Sequence, residues 1–316
     1  MEMKQLEAFV AVVQYNSFSK AADRIYLSQP TISAHISSLE NELGAQLLIR
    51  STKAVYPTQT GKDLFHHAKN ILALRDEAIS SVNRVNPEMS GEISILASTV
   101  PAQFLLPEII TVFQKHYPHI VFDIHQADSL QVVEGLLGYR YDFGIVGTSV
   151  NSRRLITVPF YRDTLVMITP KTMIVNKGEI YRDLPAFLRQ KPFVMRGDGS
   201  GTRVEMEQLL HKQGISVQNL NIVAYFHDTQ SILSAVSHGM GVSFVSKVAA
   251  TAYEKVGQIK VYDFDQHAFA RELYLVFKKE MVLSPVQKLF VTYLEEDFPG
   301  LWKIPQQGKL TIDKCN

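Results

Sequence analysis

Three groups of residues in this 316-residue chain have types and spacings that can do chemistry. The first is Ser28-Gln29-Pro30-Thr31, followed by Ser33 and His35. A serine shortly before a proline marks a helix start. The Ser28 hydroxyl can accept from a free backbone N–H, and Pro30 fits the first turn, where its missing N–H costs little. At such a start Gln29 can offer a bidentate amide to adenine and Pro30 an apolar face to a thymine methyl, with Ser33 and His35 next on the exposed face. Ser28, Thr31 and the free N–H groups can hold a phosphate. The second group is Arg50-Ser51-Thr52-Lys53, whose two cations suit a flanking phosphate or a minor groove. Taken singly, Ser28, Thr31 and Ser33 read as caps and solvated polar residues. Taken with the small Ala21-Ala22 pair, the Gln-Pro turn and the basic cluster, they read as a nucleic-acid contact.

The third group is a set of hydroxyls and cations near expected strand ends: Ser98-Thr99, Thr148, and Arg196 with Ser200-Gly201-Thr202-Arg203. In open α/β sheets ligands sit beyond the carboxyl ends of strands, where helices begin and their N–H groups favour anions. Arg196 and Arg203 could add charge-assisted contacts. Turn geometry is at least half the explanation of Gly199 and Gly201. Enzymatic readings fare poorly: Ser200 is out of register for a Gly-x-Ser-x-Gly elbow, and there is no Walker loop or His-Glu-x-x-His pair. His116, His119 and His125 lack zinc-ligand spacing.

The elements that must position these groups can be read from periodicity. Leu6, Phe9, Val10 and Val13 recur as one helix face, Ser17 can cap a second short helix, and a third runs from Ser28 to Gly44 with Ile32, Ile36 and Leu39 inward. Residues 46–57 read as a small hairpin whose tip is the basic cluster. Thr58 can cap a long helix over about 59–86. Its inward positions Leu64, Ala68, Ile71, Arg75, Ala78, Val82 and Val85 alternate in steps of four and three, a heptad seam. A seam of that length predicts a partner helix from a second chain. After the boundary at 86–91, strands and helices alternate at βαβ spacing, which predicts a parallel sheet in two α/β lobes with the chain crossing between them twice.

Composition bounds the reading. Apolar residues make up 46% and charged residues 20%, the mix of a soluble globular protein, and the length predicts two or three units. The single Cys315 excludes an internal disulfide and suits a reducing compartment. No apolar run reaches a membrane span, and charges in Met1–Phe9 argue against a signal peptide, so a cytoplasmic protein with no membrane partner is expected. The net charge is +1, and residues 1–60 hold five basic and five acidic side chains. Composition alone would reject DNA binding; affinity must come from placement and from tying heads together.

Phe18-Ser19-Lys20-Ala21-Ala22, Leu27 to Ser33, Ile36, Leu39-Glu40, Leu43-Gly44, Leu47, Arg50 and Pro57 to Gly61 together resemble the LysR-type transcriptional regulators. The resemblance covers the whole chain. It implies an α/β protein with an N-terminal winged helix-turn-helix, a long linker helix and a two-lobed effector domain like periplasmic binding proteins, which together make a sequence-specific regulator; the alternative is a two-lobed solute-binding module without DNA function, its helical head serving only for assembly. The expected limits are 1–58 for the DNA-binding domain (helix-turn-helix about 18–37), 59–88 for the linker and 89–316 for the effector domain. Lobe I would take about 91–161 and 270–300, and lobe II about 162–269. Implied partners are double-stranded promoter DNA, a second copy through the linker helix, a tetramer through the lobes, and RNA polymerase. No cofactor is implied beyond a small-molecule effector. A narrower likeness, carried by Ala97 to Gln103, Asp128-Ser129, Gly144 to Thr148 and Arg196 to Arg203, is to the subgroup associated with selenium metabolism, close to the sulfur- and carbon-assimilation regulators. It implies a sulfur or selenium oxyanion or a related metabolite as effector, while a neutral or carboxylate metabolite could use the same Ser/Thr and helix-start groups, and it adds Gln103, Asp128 and Ser129 to the contacts, although Asp128 reads first as a helix N-cap. Members often carry an acidic residue where Gly197 stands, which leaves the pairing chemistry of that loop open.

Overall fold

Three hydroxyls start three helices of the N-terminal unit. Ser17 Oγ accepts from Lys20 N at 3.3 Å, Ser28 Oγ from Thr31 N at 3.3 Å, and Thr58 Oγ1 from Gly61 N at 3.0 Å. In this computed structural model, which describes residues 1–50, 55–82, 89–138, 140–175, 177–198, 200–264 and 269–297, they open α2 (Phe18–Arg24), α3 (Gln29–Leu43) and α4 (Gln59–Val82). With α1 (Met3–Tyr15) these helices bury Leu6, Phe9, Ala21, Ile32, Ile36 and Leu39 in one core. Gly44 closes α3 in the left-handed region at φ 60°. The wing strands β1 (Leu48–Arg50) and β2 (Val55–Pro57) pair antiparallel. The Glu40 carboxylate pins the wing by accepting from Leu47 N and Leu48 N at 2.8 and 3.2 Å. Gly61 has no room for a side chain, since a Cβ there would lie 2.1 Å from Leu47 O. Lys53 and the rest of the wing tip lie outside the described residues.

The seam expected along α4 is largely used within the chain. Phe65 and Ala68 are buried in the head core, Leu64 and Ile71 pack against it, and Arg75 pairs with Glu7 of α1. This part of the seam is therefore covered within the chain and not by a helix of a second copy. The repeat 64, 68, 71, 75 faces α1, and the effector domain packs alongside. Leu74 and Ile79 remain exposed, each at 53%. The expected positions 83–88, with Val85, lie outside the described residues.

Beyond them the chain forms β3 (Gly91–Ala97), a π turn at Pro101–Leu105, α5 (Leu106–His116), β4 (Ile120–Gln126), α6 (Ser129–Leu137) and β5 (Phe143–Val146). The long strand β6 (Leu155–Pro170) follows, then α7 (Lys177–Arg182), α8 (Leu184–Arg189), β7 (Pro192–Arg196), α9 (Gly201–Lys212) and β8 (Asn221–Phe226). Last come α10 (Thr229–Ser237), β9 (Ser243–Ser246), α11 (Lys247–Lys255), β10 (Ile259–Tyr262), β11 (Ala270–Lys278) and α12 (Pro285–Asp297). β3 pairs parallel with β4 and β5, and β7 with β8, as βαβ spacing demands. The sheet is nevertheless mixed, because β11 runs antiparallel to β5 and β6, and β9 and β10 antiparallel to β6. Crossing strands that return to a lobe need no helical crossover, so they pair antiparallel. β6 is one strand of 16 residues whose first half belongs to lobe I and second half to lobe II.

Head and lobe I are joined by specific contacts. Lys69 Nζ donates to the Asp142 carboxylate at 2.7 Å. Asn70 donates from Nδ2 to Glu280 O at 3.2 Å and accepts at Oδ1 from Val282 N at 3.1 Å. Arg24 pairs with Glu92, and Lys288 with Glu77 at 2.6 Å.

Candidate DNA interface and effector cleft

The start of α3 is open to solvent. Ser28, Gln29 and Pro30 are exposed, while Thr31, Ser33 and His35 are half-buried. A helix turn of 100° per residue sets the outward face: with Ile32, Ile36 and Leu39 inward, Pro30, Ala34, Ser37 and Asn41 are the positions most nearly opposite. Ala34 and Ser37 are both exposed, so the outward face is centred there rather than on Ser33 and His35. Ser28 Oγ and Thr31 Oγ1 lie 2.7 Å apart, a pair that fixes both hydroxyls at the helix start. Arg50 is exposed at the end of β1 with its guanidinium 4.9 Å from the Phe18 ring centre and 4.0 Å from Glu40. Its aromatic seat holds the cation beside the helix-turn-helix.

The second site is a cavity of about 240 Å³ between the lobes. Three helix starts converge on it: the π turn after Ser98-Thr99, α6 at Ser129, and α9 at Gly201. Arg196, at the end of β7, is 6% exposed. Its Nη1 donates to Phe226 O and its Nη2 to Thr99 Oγ1, both at 3.1 Å, and its buried Nε has no partner among the described residues. Burial pushes this guanidinium down from its ordinary value, with Asp228 opposing the shift. The buried Ser129 Oγ also lacks a partner among the described residues. The α9 N-cap Ser200 makes no side-chain cap, so the start of α9, where Gly201 and Thr202 line the cavity, has no side-chain acceptor from its own N-cap. A buried cation, unsatisfied donors and a helix start together can hold an anion.

Eight of the eleven sequence-selected cleft residues line this cavity: Ser98, Thr99, Asp128, Ser129, Arg196, Ser200, Gly201 and Thr202. Asp128 does so as the N-cap of α6, accepting from Gln131 N at 2.8 Å. Three do not line it. Thr148 sits behind Gly201, its Cγ2 within 3.2 Å of where a Cβ would be. Gln103 donates to Gln126, itself a lining residue, at 2.9 Å. Arg203 turns away, pairing with Glu207 at 2.7 Å and Asp198 at 2.6 Å. One residue of helix rotates the side chain by 100°, so Thr202 faces the cleft and Arg203 does not.

Sequence reasoning missed Arg271 and His227, both of which line the cavity. Arg271 Nη1 donates to Thr202 Oγ1 at 3.0 Å, and its Nε donates to Asp163 at 2.8 Å. The Arg271 and Asp163 side chains are 1% and 0% exposed, and Ser246 Oγ donates to the second Asp163 oxygen at 2.9 Å. The available signal was register: Arg271 shares a strand face with Leu273, Leu275 and Phe277, all buried. At Gly197, where an acidic residue is common in the resembling subgroup, a Cβ would lie 2.5 Å from the His227 ring, so a side chain there requires that exposed ring to move.

A family model described as LysR substrate binding domain matches residues 86–299, and one described as bacterial regulatory helix-turn-helix protein, lysR family, matches residues 3–62. An uncharacterized HTH-type transcriptional regulator of Methanocaldococcus jannaschii is 33% identical over 276 residues, covering 87% of this chain and 92% of that one. The HTH-type transcriptional regulator CysL of Bacillus subtilis is 27% identical over 294 residues, covering 93% and 96%. Among solved structures, full-length OxyR from Pseudomonas aeruginosa superposes with a TM-score of 0.72 at 18% identity, covering 95% of each chain, a likeness of fold.

Proposed function

The chain belongs to the LysR family, and from that premise we propose how its two sites work. It is a DNA-binding transcriptional regulator with an effector-binding domain, not an enzyme. Among the described residues no helix is long and apolar enough to cross a membrane. In our reading residues 1–58 bind DNA, 59–88 link, and 89–316 sense. The start of α3 enters the major groove, with Gln29 and Pro30 on base edges, Ser28 and Thr31 on a phosphate, Ser33 and His35 at the margin, and Arg50 with Lys53 on the flanking backbone. Two copies associate through the exposed side of α4, around Leu74 and Ile79. The lobes extend the assembly to a tetramer, and RNA polymerase is its further partner in the cytoplasm.

The effector is a small oxyanion of sulfur or selenium, held by Arg196, the hydroxyls of Thr99, Ser129 and Thr202, and the start of α9. The observation that carries this is the buried Arg196 guanidinium, with one N–H unpartnered among the described residues, facing a polar cavity between lobes. Binding there draws on both lobes, so it shifts the relative placing of the DNA heads only as far as it prefers one arrangement over the other. The test is a thermal-shift screen of sulfate, thiosulfate, selenate and phosphate on wild type, Arg196→Gln and Thr202→Ala. A rise in wild type that shrinks in both variants is expected. Equal shifts in all three proteins would remove these residues from the site.

A further inference from the structure

The turn that feeds α3 carries a residue its backbone does not favour. α2 ends at Arg24, and Leu27 N donates to Ala22 O at 3.0 Å, the closing bond of a Schellman turn. That turn puts Tyr26 in the left-handed region at φ 56°. A Cβ is unfavourable there, and glycine or asparagine is the ordinary occupant. The other left-handed positions among the described residues keep to that rule: Asn16, Gly44, Gly214, Gly239 and Gly257. Tyr26 departs from it with a bulky ring.

Packing does not offset the cost. Tyr26 is 95% exposed, so its ring lies outside the head core. It opens an unbroken exposed run, Tyr26 to Pro30, that leads into the first turn of α3 and the Ser28–Thr31 hydroxyl pair. A ring with a polar tip, kept in water on an unfavourable backbone, is placed for a partner outside the chain. Its place, two residues before the Ser28 cap, gives it the same partner as α3. The chemistry fits a phosphate backbone. α3 supplies no Lys or Arg, and Arg24, at the end of α2, pairs with Glu92 of lobe I. A phenol can donate to a phosphate oxygen where no cation stands.

We propose that Tyr26 is a further DNA contact, its hydroxyl donating to a backbone phosphate beside the groove that α3 enters and its ring packing on the adjoining deoxyribose. This contact presupposes that the start of α3 is the DNA face. It fixes the register of α3 on the duplex and reads no base. A neutral donor releases no counterion, so it adds affinity without adding to the salt slope. It thereby supplies part of the hold that a head poor in excess positive charge lacks.

The test is anisotropy titration of the full chain as wild type, Tyr26→Phe and Tyr26→Gly, over a range of salt, with a thermal melt of each. The probes are a labelled duplex from the region upstream of its own gene and a scrambled duplex of the same length. Tyr26→Phe removes only the hydroxyl and should weaken both duplexes by about fivefold or more. Tyr26→Gly removes the ring as well and should weaken both by about tenfold or more, yet melt at or above the wild-type temperature. The salt slope should stay as in wild type for both variants, unlike that of Arg50→Ala. Wild-type affinity in either Tyr26 variant would overturn the proposal. So would a loss confined to the upstream duplex, which would mean a base contact, or a slope smaller by about one, which would mean a lost cation contact. A Tyr26→Gly melt lowered by about 5 °C or more would also overturn it, since the ring would then belong to the fold. Wild type that binds neither duplex would overturn the DNA face itself and this contact with it.

Discussion

Arg196 of lobe II donates from Nη2 to Thr99 Oγ1 of lobe I at 3.1 Å, across the floor of the cleft. A second bond, from Arg271 Nη1 to Thr202 Oγ1 at 3.0 Å, joins a crossing strand to the start of α9. The two bonds fix the lobes relative to each other with the same groups that an anion would use. An effector that takes hydrogen bonds from Arg196 and Thr202 therefore competes with, or reinforces, contacts that set lobe closure.

Replacing Arg196 by Gln keeps a donor and removes the charge. A charge-assisted hydrogen bond is worth about 1.5–3 kcal/mol, so oxyanion affinity should fall tenfold or more. Titration of sulfate or selenate by calorimetry reads this directly, and an unchanged affinity would exclude Arg196 as a ligand.

Arg271 and Asp163 form a buried ion pair, and removing one partner leaves the other charge uncompensated. Arg271→Met should cost about 3–5 kcal/mol. That lowers the melting temperature by on the order of 10 °C. The double variant Arg271→Met with Asp163→Leu should recover a substantial part of the loss in the same melt.

DNA binding should depend on salt with a shallow slope per head, because α3 carries no Lys or Arg. Arg50→Ala should reduce the magnitude of that slope by about one and weaken all sequences alike. Gln29→Ala should instead cost about 1–3 kcal/mol on the preferred site alone. Anisotropy titrations over a range of salt separate the two patterns.

Two buried groups each make stability rise with pH, in different windows. Lys278 has its folded value lowered to about 6 from 10.5, so the folded chain binds fewer protons over that window and stability should rise with pH across it. Lys278→Met should flatten this rise and lift the melting temperature at pH 7 by about 5 °C or more. Burial alone would raise Asp142, but Lys69 and Ser94 outweigh it and hold it below its ordinary 3.8. Its stabilisation is complete above that ordinary value and is lost as pH falls through the lower folded one. Lys69→Met should therefore move acid unfolding to higher pH, measurable by circular dichroism.

The head was legible in the sequence because its determinants are local. Ser17, Ser28 and Thr58 cap within three residues, and Gly44 ends a helix by its own φ. The α4 seam was legible as a seam but not as to its partner, since a repeat of four and three fits α1 of the same chain as well as a second copy. Most of the cleft could be read from strand-end hydroxyls, whereas Arg271 could not be placed, because its role comes from a strand reaching the cleft from far along the chain. Arg203 was misplaced by one residue of helical rotation, which sequence adjacency to Thr202 conceals.

The most direct test of the central claim, that an oxyanion in the lobe cleft controls the DNA heads, is the affinity of the full-length protein for its own promoter DNA. It should be measured with and without saturating sulfate, thiosulfate or selenate, for wild type and Arg196→Gln. The account predicts that at least one of these anions changes wild-type affinity or footprint and that Arg196→Gln abolishes the change. Identical isotherms and footprints with every anion would contradict it.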